Sequence, residues 1–199
     1  GNLGWAIGPA IGGFASASSY AVLFWISTAI TVVSGFIFMI WLRSPDTERN
    51  LERFRFRDLL AIKDDKRLAI HSVLVLLLYL VVAQLIVPFS VYTVEMVGIS
   101  KAELGYLYTL NGLLVVLLQL PITRLLVNMK LTTQLALGAV LYFVGYSAMG
   151  FLGGVVTLGI ALTIVTVGEC AMSPPALALT SRMAPAGRMG RYMGIFGFF

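Results

Sequence analysis

The chain has 199 residues, of which 59% are hydrophobic and only 12% charged. Soluble domains usually carry about 25% charged residues, so this composition excludes an ordinary soluble domain and predicts a membrane protein. The formal net charge of +5 does not point to nucleic acid, because the basic residues fall in short loops between apolar runs, and the single cysteine, Cys170, excludes an internal disulfide.

The first apolar stretch, Gly1–Ala17, contains Gly4-Trp5-Ala6-Ile7-Gly8-Pro9-Ala10-Ile11-Gly12-Gly13. On a helix, Gly4, Gly8 and Gly12 form one ridge without side chains, and a second helix can approach such a ridge backbone to backbone. Pro9 removes an N–H and crowds the carbonyl of Trp5, which predicts a bend. Two readings stand for this segment: a helix that moves or seals against a partner, and a static packing face.

A spanning helix needs about 20 mostly apolar residues. Five complete spans are predicted, at Tyr20–Leu42, Leu68–Val94, Leu104–Thr123, Leu131–Phe151 and Val155–Ser181. The truncated span Gly1–Ala17 precedes them and the first turns of another, from about Tyr192, follow. Both ends lie in apolar runs, so the sequence is expected to be a fragment. Backbone polar groups in hydrocarbon must be bonded internally, which makes the expected fold all-α, a polytopic transmembrane helix bundle. Thirteen of the fourteen Lys and Arg residues fall in the loops after the first, third and fifth complete spans, against Lys101 alone on the other side. That bias places those three loops in the cytoplasm.

Residues 43–67 form a charged connector in which Leu51, Phe54, Leu59, Leu60 and Ile62 supply an apolar face. The pattern suits an interfacial amphipathic helix, read here as a solvated link between two halves of a bundle.

Glu169 is the leading functional candidate. It lies in mid-span, in Thr166-Val-Gly-Glu-Cys-Ala-Met-Ser173-Pro174-Pro175. An ionised acid there is costly, and a carboxyl in apolar surroundings keeps its proton up toward neutral pH, as proton coupling requires. Thr166, Glu169, Ser173 and Thr180 make one polar stripe that should face a bundle interior or a wet cavity. The competing reading is a structural carboxyl bonded to a neighbouring helix. Pro174 and Pro175 free the carbonyls of Cys170 and Ala171, and are read either as a hinge beside the acid or as a static kink.

Gln84, Pro88 and Tyr92 share a helical face, and Tyr108, Asn111 and Gln119 roughly share another. Gln84, Tyr92 and Asn111, with Thr166 and Ser173, are the substrate-cavity candidates, suited to lipophilic compounds held by few polar contacts. Helix–helix hydrogen bonds are the alternative, favoured for Asn111 and Gln119. Tyr92 and Tyr106 also suit interfacial anchoring. His71 reads as an ordinary interfacial histidine, with a proton relay as the sharper alternative. No metal-ligand spacing and no nucleotide-binding or hydrolase motif is present, so no enzyme activity, cofactor or metal is expected. Without a Walker A motif, energy must come from an ion gradient or downhill flow.

The string Gly4, Gly8, Pro9, Gly12, Gly13 resembles motif C of the drug:proton antiporters of the major facilitator superfamily, on their fifth helix. Leu120-Pro-Ile-Thr-Arg124-Leu-Leu-Val-Asn128-Met-Lys130 occupies the place of the second copy of motif A. There Arg124, Asn128 and Lys130 would form a cytoplasmic gating loop, although the usual leading glycine is not evident and Asn128 stands near where an acid is often found. Gly168-Glu169 with Pro174, then Met183-Ala-Pro185, is similar to the tenth helix and the loop after it. The resemblance implies helices five to eleven of a twelve-helix facilitator. Residues 1–42 would hold the last two helices of the N-terminal half, and residues 68–199 helices seven to the start of eleven. It further implies a multi-pass protein of the cell (inner) membrane that takes a small-molecule substrate and protons, and that is completed by helices of the same chain missing here. Proton-coupled efflux is the first expectation; an importer of the same fold, for a solute or peptide, and a non-transporting sensor are the alternatives.

Overall fold

The computed structural model describes residues 4, 7, 8, 11, 12, 19–42, 65–151, 153–185 and 188–198, and among these all regular structure is helical. The expected connector therefore lies almost wholly outside the described residues, as do Pro9 and Gly13. Five stretches are long and apolar enough to cross a membrane.

Helix α1 (Tyr20–Trp41) starts at Ser19, whose side chain accepts from the N–H of Ala21 at 3.2 Å. Ser27, Thr28 and Thr31 each donate to the carbonyl four residues back, which satisfies their hydroxyls within the helix. Its large side chains, including Phe24, Trp25, Met39 and Trp41, are exposed. Gly4, Gly8 and Gly12 are helical, and a Cβ at any of them would meet nothing within 4 Å among the described residues.

Helix α2 (Lys66–Ala83) is capped by Asp65, whose carboxylate accepts from the N–H groups of Arg67 and Leu68. The span expected from Leu68 to Val94 falls within one membrane-length stretch, Lys66–Met96, but its α-helix is not regular throughout. Residues 84–87 form a turn, a short helix α3 (Pro88–Val91) restarts, and a π-helical turn covers Tyr92–Met96. Pro88 supplies the reason, since it can neither donate to Gln84 nor pack against that carbonyl. The chain first tightens, with Gln84, Leu85 and Ile86 donating to residues three back, and Phe89 then takes up the Gln84 carbonyl at 2.9 Å. Gln84 and Tyr92, expected on one face with Pro88, take different partners across this turn, Leu80 and Met149 respectively.

Gly98, at φ +79°, turns the chain into α4 (Lys101–Leu126), which opens on a capping box between Ser100 and Glu103. Helix α5 (Leu131–Phe151) matches the expected span. Gly154, at φ +89°, leads into α6 (Val155–Met183), and α7 (Met189–Phe198) follows.

Helix α6 is the axis of the bundle. It packs most extensively on α5, then on α4, with further contacts to α7 and α2. Leu158, Ala161, Leu162 and Val165 are fully enclosed. The α5–α6 seam is close because glycines line both sides. A Cβ at Gly138 would lie 2.7 Å from Met172 Cβ, and one at Gly168 would lie 3.0 Å from the Gly138 carbonyl. Bare backbone allows this approach, which is how small residues drive helix association in lipid.

Candidate functional site

Moving along α6 from Val155 toward Met183, the polar residues of the bundle fall into levels. At the first, Tyr92 donates to the Met149 carbonyl at 3.1 Å, tying the π-helical turn to the end of α5. Next, the Tyr108 hydroxyl lies 2.7 Å and 2.9 Å from the carbonyls of Leu85 and Ile86, groups exposed by the break in the helix of the second span. At mid-helix the buried Asn111 amide donates to Thr166 Oγ1 at 2.8 Å, and Thr166 passes its own proton to the Leu162 carbonyl.

Glu169 sits beside this pair, one turn along α6, and is half-buried. The Asn111 amide is within its hydrogen-bonding reach. Tyr79 of α2, Tyr142 and Tyr146 of α5 and the neighbouring Cys170 are close enough for its charge to act on each. Among the described residues, no basic side chain is one of the groups that act on it. The result is one carboxyl in a polar but uncharged setting of an amide and three phenols. Such a site can hold a proton or an organic cation, since nothing else there neutralises the carboxylate.

Beyond Glu169 the stripe expected on α6 divides. Ser173 is half-buried, whereas Thr180 is enclosed and hydrogen-bonded to His71 at 2.9 Å. His71 is thus a buried contact between α2 and α6, not an ordinary interfacial residue; its ring is inserted between helices, where a partner is obligatory. Pro174 and Pro175 do not stop α6, which remains helical through both. Gln119 explains part of this, because its amide donates at 3.1 Å to the Cys170 carbonyl, one of the two that the prolines release.

Of the expected cavity residues, Asn111 and Thr166 meet beside Glu169. Gln84 and Tyr92 do not: Gln84 is exposed with its amide on its own helix at Leu80, and Tyr92 is occupied by Met149. Arg124, Asn128 and Lys130 are exposed where α4 ends, at the end of the bundle rich in basic residues. That turn is held by Gln134, whose amide donates to the carbonyls of Leu126 and Met129 at 2.9 Å each. The tyrosines around Glu169 were missed by sequence reasoning. The available signal was the placement of Tyr142 four residues after Gly138 and of Tyr146 directly after Gly145, phenols beside the bare strip of one helix.

A cavity of about 670 Å³ lies elsewhere, between α2, α5 and α6. Arg67, His71 and Thr132 are its polar members, the remaining wall is apolar, and Glu169 does not line it. The polar cluster is therefore taken as the candidate site, because it sets an acid among converging polar groups at the middle of the bundle.

The whole chain, residues 1–199, matches the family model described as Major Facilitator Superfamily. It is also similar to an uncharacterized MFS-type transporter of Bacillus subtilis (strain 168), YttB, with 26% identity over 199 residues. That match covers 97% of this chain and 49% of the relative, so the chain spans about half the relative's length.

Proposed function

The chain belongs to the Major Facilitator Superfamily, and on that footing we propose that it forms part of a secondary transporter that exports small lipophilic compounds in exchange for protons. The observation that carries the reading is Glu169: one carboxyl at the middle of the central helix, among phenols and an amide, with no cation of the described residues acting on it. An acid so placed is costly to leave ionised and unpaired, so release of its proton is coupled to arrival of a cationic substrate that takes the proton's place. Export, as against import, is favoured by the glycine ridge at Gly4, Gly8 and Gly12, together with Pro9 and Gly13 in the sequence. What supports export is the resemblance of this string to motif C of the drug:proton antiporters, and in this reading the ridge seals one half of the bundle against the other.

In this reading residues 1–42 close one half, residues 43–67 connect, and residues 68–199 build the other, with the basic loops in the cytoplasm of a cell membrane. Arg124, Asn128 and Lys130 gate its inner face. Pro174 and Pro175 act as a hinge steadied by Gln119. The complete transporter expressed in cells should keep a lipophilic dye out, and an uncoupler of the proton gradient should abolish that exclusion. Dye accumulation driven inward by the same gradient would replace export with import. Indifference to the gradient would remove proton coupling.

A further inference from the structure

Tyr146 carries a feature that the reading above leaves unused. Its hydroxyl is enclosed and has no hydrogen-bond partner among the described residues. Leaving a buried hydroxyl unpaired is costly, and native structures rarely tolerate it without a reason. Thr109 is the other enclosed, unpartnered hydroxyl, but a threonine on a helix can turn its O–H back to a carbonyl of its own backbone. A tyrosine cannot, because its hydroxyl stands a ring's length from the main chain.

The Tyr146 ring is also fixed. It meets the Tyr142 ring edge-on, with centroids 5.8 Å apart and planes at 89°, and Gly145 beside it is locked against Val165 and Ala161. The hydroxyl therefore cannot swing away to find water outside. Tyr142, which the ring meets, lies against Gly168, the residue before Glu169, so the Tyr146 ring stands at the level of the Glu169 carboxyl on α6, whose charge acts on it.

We propose that Tyr146 is a positioning residue for the Glu169 carboxyl, donating its hydroxyl proton through one bridging water to the carboxylate. The inference rests on the reading of Glu169 as an acid that titrates in function. It assigns to α5 a direct part in the proton site, beside α2, α4 and α6. The other groups coupled to Glu169 are Tyr79 from α2, Asn111 from α4, Tyr142 from α5 and Cys170 on its own helix; Tyr108 from α4 acts on Tyr146. None of these is charged at neutral pH, so Tyr146 is one of a few donors that decide how readily the acid gives up its proton.

The test uses the complete transporter in reconstituted membranes and needs no substrate. The protonated-carboxyl band is titrated by infrared difference spectroscopy, and Glu169→Gln identifies which band belongs to Glu169. Tyr146→Phe removes one O–H and keeps the ring contact with Tyr142. It should move the midpoint of that band to higher pH by about one unit, a tenfold change in proton affinity. It should also lower the melting temperature above the midpoint and leave it unchanged below. If the midpoint stays and the melting temperature rises at every pH, the hydroxyl is a simple unpaired group and the proposal fails. If no titrating carboxyl band disappears in Glu169→Gln, the acid itself does not titrate, and the underlying reading of Glu169 fails instead.

Discussion

Gly138→Ala tests whether the α5–α6 seam sets the geometry of the acid. The new Cβ would lie 2.7 Å from Met172 Cβ and 2.9 Å from the Gly168 carbonyl oxygen. Both are atoms on or next to the backbone and cannot rotate away. An ordinary contact needs about 3.5–4.0 Å, so the two helices must part by about 1 Å at this level. Overpacking of this kind costs about 1–3 kcal/mol. Gly150 lies on the same helix but faces open space, with nothing within 4 Å of an added Cβ. Gly150→Ala should therefore be neutral or slightly stabilising, since alanine is favoured over glycine in a helix by about 1 kcal/mol. Thermal unfolding of the purified transporter in detergent reads both variants. Because the strained carbonyl belongs to Gly168, the residue before Glu169, Gly138→Ala should also disturb proton binding. Equal melting temperatures for the two alanine variants would refute the close seam.

Gln119→Leu should destabilise by about 1–3 kcal/mol, the cost of leaving the Cys170 carbonyl without its donor in a buried setting. Denaturant unfolding of the variant beside wild type measures it, and no change would mean that the proline-freed carbonyl finds another partner. At the basic end, the Tyr192 hydroxyl donates to Asp65 at 2.8 Å and, ahead of the backbone N–H of Leu68, holds that carboxyl below its usual range. A depressed folded pKa contributes stability that is complete above the unfolded value of about 3.9 and is lost as pH falls through the folded value. Tyr192→Phe should thus lower the melting temperature at pH 7 and make no difference near pH 2. The effect should be about 1 kcal/mol, because the Tyr192 ring is buried but the Asp65 carboxylate keeps part of its surface in solvent.

The five spans were legible in the sequence because hydrocarbon thickness and backbone satisfaction leave few alternatives, and α5 was placed to the residue. The break at residues 84–87 was not. Hydropathy runs unbroken across it, and whether Pro88 bends a helix or interrupts it depends on what receives the freed carbonyls. Here Tyr108 receives them, from another helix. Glu169 was legible for a similar physical reason, since an acid in mid-span is too costly to be incidental. Its neighbours were not, because tyrosine in a lipid-spanning helix reads equally well as an interfacial anchor or as packing. Asn111 and Gln119 came out as the helix–helix donors that their chemistry favoured, while Gln84 turned to its own helix once that helix broke above it. His71 was misread because only the packing of α2 on α6 shows that its position, near the end of a span, is covered.

The central claim is that Glu169 couples substrate to protons. Its most direct test is substrate-dependent proton flux under an imposed pH gradient, with the complete transporter in proteoliposomes and Glu169→Gln beside wild type. A lipophilic cation should drive protons in the wild type, and the variant should lose that flux while still exchanging labelled substrate for unlabelled. Normal coupling in the variant would contradict the account and leave Glu169 a structural carboxyl.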